Sequence, residues 1–575
     1  MNTHFNFNIE VSAPNTKKSI YLFLICIIEF IIILSIIPIS YAGNDDTVMN
    51  AISSGAISGK PSEFILFTNI IIGYFLKFLF TELPQLNWYT YYLVFSLIIG
   101  YIAIQDVLSR ISLNVSAKIT IHLIVLSLIC PSLLGLQFTK IAAIVEAAGF
   151  LLLFTSNKKD IFRYVYGVFL IILGSLIRVE VFYMYIILSA PFFVLIRNNK
   201  TKQYKSILLA IMISFSFVFF NNYQYNRNKD FKEYFEFNRL RSSITTHDNP
   251  SFTYENYKVL LDSLGWTYSD FDVASNFNLD LGHQKFNQNT LTQIVEHINK
   301  ANNKFNPLVI SKKLIYTINS LIDYFNNHFH YYLSIFSLLL FLLLLNRKKN
   351  LAFIITYSIY ILLITWTITV FIDGNLKERV IWSLILPLNV TTIFVFFASQ
   401  NTRNKNNEQR KNTRLILLYG FLIFTSLTVN ARYFRGALIL NSKERFYRDK
   451  MVAEYLKSQP LVFYASWCDL SKYNPFNLPY PQYQQYSLGW LAGSPFNKEK
   501  LEKYTGDNNI GIYNIFNKDI VWFFRNNSFY NDSKFHEKVT TFYKSNYKNI
   551  TINHEKIPIT KNDTLYKYTF FIPSN

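Results

Sequence analysis

Apolar runs of bilayer length recur along this chain, and no other feature restricts its fold so strongly. The first runs from Ile20 to Ala42. A helix needs about 20 apolar residues to cross hydrocarbon, and a helix satisfies its own backbone hydrogen bonds there. Further runs follow at Tyr89–Gln105, Ile119–Leu134, Phe138–Phe154, Tyr164–Ile177, Val181–Ile196 and Ser206–Phe220. Four more lie at Tyr331–Leu345, Leu351–Ile372, Val380–Ala398 and Leu415–Val429. The pattern predicts an α-helical polytopic membrane protein of about 11 spans.

Charge sets the orientation. The 575 residues carry a formal net charge of +20, which in a soluble chain would suggest nucleic acid. Here the basic clusters, Arg197–Lys205, Arg347–Lys349 and Arg403–Arg414, fall in short loops between apolar runs. That is the positive-inside pattern, and it argues for membrane lipids and against nucleic acid as the partner. With Lys17 and Lys18 before the first run, the amino terminus is expected in the cytoplasm and the carboxy-terminal segment outside. Ser40-Tyr41-Ala42 is a poor small-residue cleavage site, so the first run reads as a retained span. Cys26, Cys130 and Cys468 suggest neither a disulfide framework nor a thiolate metal site. Abundant Asn, Lys, Ile, Phe and Tyr point to an AT-rich bacterial genome and so to a bacterial cytoplasmic membrane.

Segments between the runs fill in the organisation. Residues 1–430 read as the membrane domain, with a first outer loop at 43–88 and a large outer loop at 221–330. Within the first loop, Glu63–Phe80 is apolar enough to span. Spanning would put Arg110 and Lys118 on the wrong face, so an interfacial or re-entrant helix is expected instead. Residues 431–575 read as a small extracytoplasmic α/β domain. It is expected to open with an amphipathic helix, Ser442–Lys457, whose apolar positions are Phe446, Met451, Val452 and Leu456. Strands are expected at Leu461–Ala465, Ile510–Ile515, Ile520–Phe524, Ile550–Ile552 and Leu565–Phe571.

Candidate chemistry collects where the chain leaves the membrane. Asp45 and Asp46 follow the first span; ionisable groups at such a boundary are costly to place and often functional. Arg178 and Glu180 flank a very short turn between two runs, and Lys377 and Arg379 precede another. The large loop adds Arg239, Arg241 and the pair His247-Asp248, as support rather than as a metal site. A carboxylate can take a proton from an attacking hydroxyl. Arg and Lys can hold a phosphate, Arg in two-pronged fashion. Simpler roles compete: Arg178 and Glu180 pairing with each other, and Lys377 and Arg379 meeting lipid headgroups.

The layout resembles the GT-C fold glycosyltransferases, multi-span enzymes that use polyprenyl-phosphate-linked sugars. The resemblance rests on the acidic pair in Asn44-Asp45-Asp46 and on Lys60-Pro61 ahead of Glu63–Phe80. Ser62 stands where the family often has a second proline, and Cys130-Pro131-Ser132 stands where it often has Ser-Pro. The resemblance implies sugar transfer from a polyprenyl-phosphate donor to a cell-surface glycan or lipid-linked acceptor on the outer face. Asp45 or Asp46 would be the catalytic base, with Asp45 favoured as nearer the span. Arg178, Lys377 and Arg379 would bind the donor phosphate, and Lys60 and Glu180 would support them. It implies no definite cofactor and leaves a divalent cation open. Two rivals stand beside this reading: a surface-polysaccharide polymerase or ligase, and a non-enzymatic lipid-linked-sugar transporter or assembly scaffold. A transporter should carry charge deep within several spans, and the sequence places the charges mainly at the outer boundary.

Overall fold

A computed structural model describes residues 16–111, 115–156, 160–195, 201–244, 252–277, 284–301, 348–371, 377–400, 443–459, 473–479, 493–505, 520–527, 533–560 and 563–571, with a few short pieces between. The chain is mostly helical. Among the described residues, five helices are long and apolar enough to cross a membrane, and four shorter apolar ones accompany them. These are α1 (Thr16–Ile36), α4 (Trp88–Ser109), α5 (Val115–Leu134), α6 (Phe138–Thr155), α7 (Ile161–Ile177), α8 (Val179–Leu195), α9 (Thr201–Arg227), and, further on, α14 (Lys348–Phe371) and α15 (Glu378–Gln400). Nine of the expected runs therefore form helices. Tyr331–Leu345 and Leu415–Val429 lie outside the described residues.

The centre of the bundle is α6, almost every residue of which is buried. Ala142, Ala143, Ala147, Ala148 and Gly149 keep its surface low, so neighbouring helices approach closely, as small residues allow in apolar helix packing. A Cβ on Gly149 would sit 2.8 Å from Ile171 and 3.0 Å from the Gly167 carbonyl of α7. The peripheral helices turn apolar side chains outward: Ile28, Ile31 and Ile32 on α1, and Leu208, Met212 and Phe219 on α9. A soluble monomer rarely exposes so continuous an apolar surface. At one end of the bundle, Asp106 of α4, Arg110 that caps it, Asp160 and Arg163 form an ion network, with Arg110–Asp160 at 3.3 Å and Arg163–Asp106 at 3.2 Å.

Several boundaries differ from expectation for local reasons. Helix α1 stops at Ile36 rather than Ala42, because Pro38 cannot continue it. Ser40–Tyr41 (β1) instead pairs in parallel with Gly135–Leu136 (β2). The short helix α2 (Asn44–Ser53) follows at once. The predicted interfacial helix Glu63–Phe80 is irregular as far as Asn69, and only α3 (Ile70–Glu82) is helical. At 13 residues α3 is about 20 Å long, too short to cross a bilayer. Its start is fixed by Asn69, whose side chain caps Ile71 N at 3.1 Å, and by Gly73, where a Cβ would lie 1.8 Å from the Glu63 carbonyl oxygen.

The described parts of the large loop are mainly helical: α10 (Lys229–Ser243), α11 (Tyr254–Ser263), α12 (Tyr268–Phe277) and α13 (Gln288–Ala301). The carboxy-terminal segment holds α16 (Lys443–Lys457), α17 (Pro495–Thr505), α18 (Ser533–Asn546) and a five-stranded mixed sheet. Its strands are β3 (Leu461–Tyr464), β4 (Gln485–Ser487), β5 (Ile520–Asn527), β6 (Thr551–Thr560) and β7 (Asp563–Phe571), in the order β4-β3-β5-β7-β6. The expected strand Ile510–Ile515 lies outside the described residues. On α16, Val452 and Leu456 are buried as expected, but Met451 is exposed and Ala453 takes its place in the core. One hydrophobic core joins Leu240, Trp266, Phe286 and Ile294 of the large loop to Phe542, Tyr543 and Tyr568. The large loop and the carboxy-terminal segment thus pack together across the boundary drawn at residue 430.

Candidate functional site

At the end of the bundle opposite the Asp106 network, the chain leaves α1 and meets the starts of α4, α6 and Glu378–Gln400 and the end of α7. The β1–β2 bridge, with Ala42 N donating to the Leu136 carbonyl at 2.9 Å, pins the exit from α1 beside α6. Gly43 is the extended residue before α2 and makes no side-chain cap. Asp45 and Asp46 lie in the first turn of α2, where a helix N-terminus favours negative charge. Neither carboxylate caps Thr47.

The two aspartates go separate ways. Asp46 is wholly buried. Its Oδ1 accepts from the Tyr89 hydroxyl at 3.0 Å and from Phe138 N at 3.0 Å. Burial pushes its carboxyl up to about 8, the charge of Asp45 adds to the rise, and the Phe138 and Tyr89 hydrogen bonds and Arg379 pull against it. Asp45 is only partly buried and pairs with Arg379, whose Nη1 lies 2.6 Å from its Oδ2.

Arg178 is the single-residue joint between α7 and α8. It pairs with Glu180 at 2.8 Å, so the simpler role expected for these two does occur. Its guanidinium also lies 5.3 Å from the Phe67 ring centroid and 5.1 Å from that of Phe138. Burial lowers its affinity for a proton, Glu180 opposes this, and the charge of Arg379 lowers it further. Asp45, Asp46, Arg178 and Arg379 are therefore electrostatic neighbours, although their sequence positions span more than half the chain. Lys377 is exposed, and its carbonyl receives Val380 N at 2.8 Å at the start of Glu378–Gln400.

Sequence reasoning missed four participants, Lys140, Glu378, Tyr89 and Phe67. Lys140, in the first turn of α6, is buried and pairs with Glu378 at 3.0 Å; a lone lysine two residues into an apolar run was its visible signal. Tyr89 and Phe67 carried none, being two aromatics among many. Lys140, Arg178 and Arg379 thus pair with Glu378, Glu180 and Asp45 respectively.

Carboxy-terminal residues cover this end. The Trp490 ring meets Phe67 edge-on at 4.8 Å, and Tyr234 of α10 donates to the Trp490 carbonyl. Asn87 donates to the carbonyls of Pro475 and Asn477, each at 2.7 Å.

The supporting residues are dispersed. Lys60 is exposed and pairs with Glu499 of α17 at 2.8 Å. Arg239 is exposed. Arg241 is buried, with its Nη2 2.8 Å from Asn238 Oδ1 on its own helix. His247 and Asp248 lie outside the described residues.

Charge is also found deep in the bundle, where the sequence reading expected little. Glu146, midway along α6, is wholly buried, and neither carboxylate oxygen has a hydrogen-bond partner among the described residues. Glu29 and His122 form another internal pair, 2.6 Å apart.

No family model, no curated protein and no solved structure matches this chain.

Proposed function

We propose that this chain is a GT-C-type membrane glycosyltransferase of a bacterial cytoplasmic membrane, with about 11 spans, a cytoplasmic amino terminus and its carboxy-terminal α/β domain outside. It moves a sugar from a polyprenyl-phosphate donor to a surface glycan or lipid-linked acceptor. The observation that carries this reading is the junction of Asp45 with Arg379 and Arg178 where five helix ends converge. Asp45 is the base: it is partly exposed, whereas Asp46 is sealed and holds its proton at neutral pH. Arg379 and Arg178 bind the donor phosphate, and their present partners, Asp45 and Glu180, exchange for phosphate oxygens when the donor arrives. Lys377, exposed at the same helix start, adds to the phosphate site from the rim.

The test is sugar transfer from a polyprenyl-phosphate donor by the purified full-length protein. Asp45→Asn keeps the shape of the side chain and removes proton acceptance. General base catalysis contributes about 10²–10⁴ in rate, so turnover should fall by that order while donor binding persists. Unchanged turnover would sink the assignment. One finding favours the transporter reading: Glu146 is the kind of deep intramembrane charge that such proteins use. Glu146→Gln separates the two, because it should abolish lipid-linked-sugar translocation in a transporter and spare transfer in an enzyme.

A further inference from the structure

Three side chains with different donor atoms converge between α1, α4 and α5, away from the Asp45 cluster. Cys26 and Glu29 are three residues apart on α1 and so share a helix face. That face is turned inward, with Cys26 wholly buried, while Ile25, Ile28 and Ile32 point outward. His122 of α5 reaches across, its Nε2 2.6 Å from Glu29 Oε1. The Cys26 sulfur and the donor atoms of Glu29 and His122 all lie within 4.8 Å of one another. Tyr101 of α4, itself buried, donates to Glu29 Oε2 at 3.0 Å and touches His122 Nε2 at 3.3 Å. Gln105 donates to the His122 carbonyl at 3.1 Å.

We propose that Cys26, Glu29 and His122 form a zinc site within the helical bundle. A clasp holding α1 to its neighbours would need only the Glu29–His122 pair, and would leave the sulfur beside it unexplained. Zinc accepts thiolate, imidazole and carboxylate together, at about 2.3 Å for sulfur and about 2.0–2.2 Å for nitrogen and oxygen. Those bond lengths put ligand atoms about 3.5 Å apart in a tetrahedron. The Glu29 and His122 atoms stand 2.6 Å apart and all three donor atoms lie within 4.8 Å of one another, so small side-chain rotations admit the ion. Hard cations such as magnesium and calcium would prefer oxygen ligands throughout.

Charge supports the same choice. One thiolate and one carboxylate neutralise a divalent ion and the imidazole adds nothing, so the loaded site is neutral in a low-dielectric setting. On binding, the thiol proton and any proton held between His122 and Glu29 leave to water. Tyr101, through its bond to Glu29 Oε2, then acts as an outer hydrogen-bonding partner that orients that ligand. Three protein ligands leave the fourth position of a tetrahedral zinc for a small ligand such as water.

The experiment uses the full-length protein in detergent, stripped with chelator and reloaded with zinc, with metal content read by mass spectrometry. Stoichiometric zinc is expected in the wild type and in Cys130→Ser. Retained zinc should fall about ten-fold or more in Cys26→Ser and His122→Gln, and by a smaller factor in Tyr101→Phe. Loading with cobalt(II) gives a second readout: a thiolate-to-cobalt charge-transfer band in the wild type, absent from Cys26→Ser. Either of two results overturns the proposal: no retained zinc and no cobalt band in the wild type, or zinc content unchanged in Cys26→Ser.

Discussion

Asp46 should make the stability of this protein depend on pH in a direction opposite to that of an ordinary salt-bridged carboxylate. Its ordinary value is 3.8, and burial in the fold raises it to about 8. Between those values the native state holds a proton that the unfolded chain releases. Native protein then binds more protons than unfolded, so stability falls as pH rises. The contribution is most favourable below about pH 4 and is lost as pH climbs through about 8. Each pH unit is worth about 1.4 kcal/mol, which sets an upper limit of about 6 kcal/mol across the window. Asp46→Asn removes the titration and keeps an oxygen for the Tyr89 and Phe138 hydrogen bonds. The measurement is thermal unfolding of the detergent-solubilised protein from pH 5 to pH 9, for wild type and variant. The wild type should lose stability steadily over that range relative to Asp46→Asn, and the variant should be the more stable of the two at pH 9. Parallel curves would refute the reasoning, because they would mean that Asp46 is ionised in the native protein at every pH tested.

Three further outcomes are expected. A Cβ on Gly174 would lie 2.6 Å from Glu146 Cγ, so Gly174→Ala should destabilise by about 1–3 kcal/mol. The double variant with Glu146→Ala should recover much of that loss, and strict additivity of the two changes in unfolding temperature would count against direct contact. Asn87→Ala strips two carbonyls of a buried donor, a loss of about 1–3 kcal/mol. Limited proteolysis within 473–479 should accelerate, and an unchanged cleavage rate would mean that other contacts hold this segment. For topology, reporter fusions after Arg414 and after Lys457 should report opposite sides of the membrane. Cysteines placed at Ser62 and at Gln85 should both react with an impermeant reagent from outside; labelling at only one of them would make the segment between them a span.

Hydrophobic length was enough to read the nine described apolar helices from the sequence, because bilayer thickness sets how long such a run must be. The very short joint at Arg178 was legible for the same reason: two apolar runs flank it with no room for a loop. The segment Glu63–Phe80 was only half legible. Hydropathy could not show that Asn69 caps the helix there, or that Gly73 must pass the Glu63 carbonyl. Tertiary structure alone decided the chemistry. Asp45 and Asp46 are adjacent and chemically alike in the sequence, yet one faces Arg379, 334 residues further along the chain, and the other is sealed beneath Tyr89 and the start of α6. Cys26 looked isolated because its neighbour His122 comes from a helix about a hundred residues away. Local pattern records which residues are apolar and where charge can sit. Which helix ends meet is set by close packing around α6, through small residues whose significance appears only when their neighbours are in place.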